Sequence, residues 1–138
     1  MRAYLDSSVI LRVILGEKGR LAEWPRLSET VTSEITRVEC LRVLDRLRLE
    51  GSMPERELAR RRACALTVLS GIDMLRVNRA VLARAADPFS VGIRTLDALH
   101  LASALLARSR FAALRFATHD AGLAAAAAGE GFAVLGSR

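Results

Sequence analysis

Aromatic side chains make up only 4% of the 138 residues, so a core must be built mainly of Leu, Val, Ile and Ala. The same scarcity disfavours a sheet of stacked aromatic platforms for single-stranded nucleic acid. No apolar run approaches the roughly 18 residues of a membrane span. The longest, near residues 101–107 and 121–129, are flanked by Arg or Glu. The N-terminal stretch meets an acid at Asp6, unlike a signal peptide. The two cysteines, Cys40 and Cys64, lack metal-ligand spacing and read as small apolar fillers in a reducing cytoplasm. Neither G-x-G-x-x-G nor G-x-x-x-x-G-K-[ST] occurs, so dinucleotide and P-loop readings lack their phosphate cradle. The absence of a Gly-x-Ser-x-Gly elbow argues against an α/β-hydrolase.

What is present suits a folded domain spanning residues 1–138. Apolar residues reach 51% and charged residues 26%, which provides a core and argues against disorder. The net charge is +6, and Lys18 is the only lysine among 21 basic residues. A surface so rich in Arg suits phosphate or carboxylate partners, because the planar guanidinium donates paired hydrogen bonds. A bias toward Ala, Arg and Leu without a binding role explains the charge equally well.

Short apolar segments alternate with helical ones. Strands are predicted at 2–5, 30–32, 73–77, 114–118 and 132–135, and helices at 7–15, from Ser33 to Glu50, to Ser70, 78–86, 94–108 and 120–128. Trp24-Pro25 marks a loop. Cys40, Val43, Leu44 and Leu47 have the i, i+3, i+4, i+7 spacing of a buried stripe. Ser52-Met53-Pro54-Glu55 reads as a capping box. The Arg60-Arg61-Arg62 run reads as a solvated helix face, and Tyr4 and Trp24 as packing residues. This alternation predicts a three-layer α/β/α sandwich around a mostly parallel sheet of about five strands.

In such sheets ligands bind beyond the C-terminal strand ends. Asp6 ends the first strand, Asp120 follows the fourth, Asp97 lies in the first turn of the 94–108 helix, and Glu39 lies about two turns into the helix after the second strand. Each has a structural reading as well. Asp6 and Asp120 suit helix N-caps, Asp97 suits the positive start of a helix, and Glu39 has Arg42 at i+3. The chain has only six Asp, however, and three fall at one predicted edge. Carboxylates gathered there repel one another unless a cation joins them. An oxygen-only donor set suits Mg²⁺ or Mn²⁺ rather than Zn²⁺, and metal held this way typically works on phosphates. Ser7 and Thr118 adjoin the edge and can orient a ligand or satisfy local backbone groups. Arg94 can reach a phosphate or fix its own loop. His100 shares a helix face with Asp97 and reads as a buried, hydrogen-bonded histidine or a further ligand. His119 is expected to point away. A response-regulator receiver needs a lysine after its last strand, and a haloacid-dehalogenase phosphatase needs Asp-x-Asp after its first; neither is present.

Tyr4-Leu5-Asp6-Ser7-Ser8, Thr32-Ser33-Glu34 with Glu39, Arg94-Thr95-Leu96-Asp97-Ala98-Leu99-His100-Leu101-Ala102-Ser103-Ala104 and Phe116-Ala117-Thr118-His119-Asp120 resemble the PIN-domain ribonucleases. More narrowly, they resemble the VapC toxins of bacterial type II toxin–antitoxin modules. The match runs in order along nearly the whole chain, and Leu-Asp-Ala-Leu-His-Leu-Ala is its most specific part. The resemblance implies a metal-dependent endoribonuclease. Asp6 and Asp97 would be the principal Mg²⁺ ligands (Mn²⁺ as alternative), with Asp120 completing the site and Glu39 holding or deprotonating a metal-bound water. It implies attack on an RNA phosphodiester, a VapB-type antitoxin as partner, a homodimer, and contact with DNA only through the antitoxin complex. A catalytically silent binding module and a small-molecule phosphatase are the competing readings.

Overall fold

A computed structural model describes residues 1–137. Five strands form one parallel sheet: β1 (Arg2–Leu5), β2 (Glu29–Ser33), β3 (Asp73–Leu75), β4 (Arg115–Ala117) and β5 (Val134–Leu135), in the order β3-β2-β1-β4-β5. The helices are α1 (Ser7–Ile14), α2 (Glu34–Glu50), α3 (Glu55–Ser70), α4 (Arg79–Ala86), α5 (Thr95–Ala107) and α6 (Ala121–Gly129). The expected α/β/α sandwich is present.

The sheet grows from its centre in both directions, first through β2 and β3 and then through β4 and β5. The point of reversal lies between β1 and β4, where such folds leave a crevice at the carboxyl ends of the strands. β1 is wholly buried from Ala3 to Leu5, so both of its faces must be covered by apolar groups. Ala3 and Leu5 point to one face, against Val9, Ile10, Cys40, Leu44 and Leu69 of α1, α2 and α3. Tyr4 points to the other, against Leu101, Ala104, Leu123 and Ala127 of α5 and α6. Because side chains alternate along a strand, Asp6 continues the Tyr4 face. Tyr4 stacks on Phe116 with centroids 5.3 Å apart, and Phe116 meets Phe132 at 5.7 Å. Three of the chain's few aromatics thus form one cluster beneath the carboxyl edge of β1 and β4.

Local signals explain most boundaries. Gly51 ends α2 with φ at 65°, the left-handed turn that favours glycine. Asn78 caps α4, accepting from the Val81 N–H at 3.0 Å. Replacing Asn78 by Ala should cost about 1 kcal/mol of unfolding free energy, measured by chemical denaturation.

Four expectations need correction. Ser52 does not cap α3, because the helix begins three residues later with Pro54 in the cap position; the Ser52 hydroxyl instead donates back to the Leu47 carbonyl. Arg61 is not solvated like its neighbours, since its guanidinium turns inward to Glu57 and the Ile14 carbonyl. The buried stripe of α2 runs through Thr36, Cys40 and Leu44, with Leu41 and Leu47 beside it, whereas Val43 stays outside the cluster. Trp24–Arg26 forms a single 3-10 turn where a loop was expected.

Candidate active site

The four acids reach one end of the sheet from four elements. Asp6 follows β1 at its carboxyl end and is only 4% exposed. Its carboxylate does not cap α1. It accepts instead from the Ser8 hydroxyl at 2.7 Å and from Thr118 at 2.8 Å, both at Oδ2. Each hydroxyl is itself held by a backbone N–H: Ser8 by His119 and Thr118 by Asp120. The segment after β4 is thereby tied to the segment after β1, and Asp6 cannot turn away.

Asp120 does cap its helix, accepting the Leu123 N–H at 2.8 Å. Its structural reading therefore holds, and its carboxylate still lines the cleft. Glu39 does not pair with Arg42, which binds Asp45 instead. Glu39 turns inward from α2, with Oε1 2.6 Å from His100 Nε2 and Oε2 3.3 Å from the Ser7 hydroxyl. Ser7 also lies 3.4 Å from Asp6 Oδ1, so its one hydroxyl proton is shared between two acids. Arg94 stands exposed at the start of α5, on the wall of the cleft. Glu39, Arg94, Asp97 and Asp120 all line this depression of about 800 Å³.

Asp97 differs from the others. Among the described residues it makes no hydrogen bond and no ion pair. Half-burial raises the pKa of its carboxyl, and the charges of Asp6 and then Asp120 raise it further. His100 is 1% exposed. Its burial disfavours a charge, but the hydrogen bond to Glu39 and the charge of Asp6 outweigh this and raise its pKa. Burial, followed by the charges of Glu39 and Asp6, pushes the Cys40 thiol up to about 12, which leaves it an inert filler.

The donor set fits a hard divalent cation: carboxylate oxygens only, one of them unpartnered and strained by like charge. Asp6, Asp97 and Asp120 are the residues that would hold it. Among the described residues, no three Asp, Glu, His or Cys side chains already stand close enough together to hold a metal ion. Each of Asp6, Glu39 and Asp120 is occupied by the protein contacts just given.

Two participants were not singled out from the sequence. Ser8 anchors Asp6; the signal was a hydroxyl two positions after an acid at a helix start, within reach of its side chain. Tyr4, read only as a packing residue, also meets His100 with its hydroxyl from 96 positions away, a contact with no local signature. His119 points away from the cleft, with Nδ1 3.0 Å from the Gly136 carbonyl.

The fold is an α/β/α sandwich with its sheet reversed between β1 and β4 and acids from four segments at that end. The chain belongs to the PIN domain family, whose model matches residues 3–129. Among characterised proteins it is 35% identical over 104 residues to ribonuclease VapC46 of Mycobacterium tuberculosis, covering 73% of this chain and 72% of that one. It is 29% identical over 124 residues to ribonuclease VapC47 of the same species, covering 85% and 83%. Its fold is similar to a chain of a toxin–antitoxin complex from Klebsiella pneumoniae, with a TM-score of 0.64 at 18% identity over 92% of this chain and 93% of that one. No helix of the described residues is long and apolar enough to cross a membrane.

Proposed function

We propose that this chain is a VapC-type endoribonuclease toxin that hydrolyses RNA phosphodiester bonds with Mg²⁺ or Mn²⁺, and that a VapB-type antitoxin neutralises it. The observation that favours this reading is Asp97, a half-buried acid without a protein partner, set among three further acids at the reversal point of the sheet. A binding-only surface gains nothing from such repulsion. The identity to two ribonucleases supports RNA as substrate, and the structural likeness to a toxin–antitoxin chain is in keeping with the partner.

Asp6, Asp97 and Asp120 serve as cation ligands in this reading. A divalent ion, when bound, offsets negative charge on a phosphate and makes a water easier to deprotonate. Glu39 faces the same space and accepts the proton of the attacking water. Ser8 and Thr118 hold Asp6 in place. Arg94 on the cleft wall takes a flanking phosphate of the RNA.

The test is incubation of the purified protein with structured and unstructured RNAs. Cleavage is expected with Mg²⁺ or Mn²⁺, stopped by EDTA and restored by excess metal. RNA that stays intact under all these conditions while binding tightly would establish the silent binding module instead. Arg94→Ala is expected to weaken RNA binding and to reduce the slope of log affinity against log salt by about one, measured by fluorescence anisotropy.

A further inference from the structure

We propose that His100, itself held by the buried hydroxyl of Tyr4, is a positioning residue that fixes the carboxylate of Glu39 in the cleft. The role assigned to Glu39 rests on the proposed ribonuclease function, but the brace is a matter of geometry. Glu39 stands on α2 with three rotatable side-chain bonds and a side chain 23% exposed, so an unrestrained carboxylate would extend into water. It is instead held at Oε1 by His100 Nε2 at 2.6 Å. A carboxylate only accepts hydrogen bonds, so Nε2 carries the proton. Nδ1 lies 2.7 Å from the Tyr4 hydroxyl, accepting from it in the neutral ring and donating to it in the imidazolium, while Nε2 donates to Glu39 in both forms.

Partners at both ring nitrogens set the plane of the imidazole, and the surroundings fix the ring. Tyr4 is fully buried, stacked on Phe116, and meets the His100 ring edge-on with centroids 5.9 Å apart. The brace therefore begins in the aromatic cluster of the sheet, runs through α5, and ends on α2. It leaves Glu39 Oε2 beside Ser7 and facing the Asp6 side of the cleft. The mechanism above gives the Tyr4 hydroxyl no task, yet burial without a partner would be costly for it.

The experiment combines kinetics with NMR of the metal-free protein. His100→Ala is expected to lower kcat by about 10–100-fold, as loss of an orienting hydrogen-bond partner does, with KM nearly unchanged. His100→Gln places an amide N–H where Nε2 was and should restore much of the rate. In a Glu39→Ala background, His100→Ala should cause no further loss, because a residue that acts only through another loses its effect when that other is absent. Equal losses in both backgrounds would overturn the proposal. Since His100→Ala removes a buried ring and can disturb folding, Tyr4→Phe supplies the second variant: it keeps the aromatic packing and should lower kcat in the same direction by a smaller factor. In ¹⁵N-labelled protein without metal, the His100 Nε2–H should give a slowly exchanging resonance that shifts or disappears in Glu39→Ala and in Tyr4→Phe. A resonance indifferent to Glu39→Ala would refute the brace even if RNA is cut. If the parent fails to cut RNA while the resonance responds as stated, the ribonuclease reading falls and the brace stands.

Discussion

Asp6→Asn is expected to reduce RNA cleavage by about 10³-fold or more while the protein keeps its fold. The substitution preserves volume, and the remaining carbonyl oxygen can still accept from Ser8 or Thr118. What is lost is one of the two carboxylate oxygens of the most buried acid of the cleft, 4% exposed. On the proposed function Asp6 is a ligand of the cation that stabilises charge on the phosphate, hence the size of the expected effect. Cleavage assays read the loss, and circular dichroism checks that the thermal transition persists. A variant that cuts as fast as the parent would remove Asp6 from the chemistry.

Asp97→Asn should separate activity from stability. It is expected to abolish cleavage to a similar degree and, in EDTA at neutral pH, to raise the melting temperature by about 1–3 °C. The sign follows from the raised pKa of the folded carboxyl, whose first cause is burial and whose second and third are Asp6 and Asp120. Well below the ordinary Asp pKa of about 3.9 the group is neutral in both folded and unfolded chains and exerts no penalty. As pH rises, the unfolded chain ionises first, and stability is withdrawn until the folded carboxyl has ionised too. The gap between variant and parent should therefore open with rising pH and close again in acid. Solvent reaches much of this carboxylate, so the gap stays small. Added Mg²⁺ should stabilise the parent and leave the variant nearly unmoved. A variant less stable than the parent at pH 7 in EDTA would mean that Asp97 is compensated after all.

Much of this was legible in the chain. β1 and its terminal Asp6, the Gly51 stop and the Asn78 helix start are short-range signals, and they appear where local chemistry puts them. The four acids could be assigned to one edge because strand and helix alternated, which fixes where carboxyl ends fall. The failures share another cause. Whether Ser52 caps α3 depends on where Pro54 lets that helix begin. Whether Arg61 is solvated depends on the Ile14 carbonyl, 47 positions away. Which side of α2 is buried is set by its packing on α1 and α3, which takes in Thr36, Cys40 and Leu44 and leaves Val43 outside. Likewise nothing local tells Glu39 to choose His100 over Arg42.

Asp6 finds one of its three hydroxyl partners 112 positions later, in Thr118. Asp97 and Asp120 also lie in the last third of the chain. During synthesis the N-terminal strand leaves the ribosome first, but the edge it shares with β4 cannot close until nearly all of the protein has been made. A polypeptide interrupted before residue 115 has Asp6 and Glu39 but lacks β4, Thr118 and Asp120. The cleft is therefore among the last parts of the molecule to be assembled, although its first acid is among the first residues made.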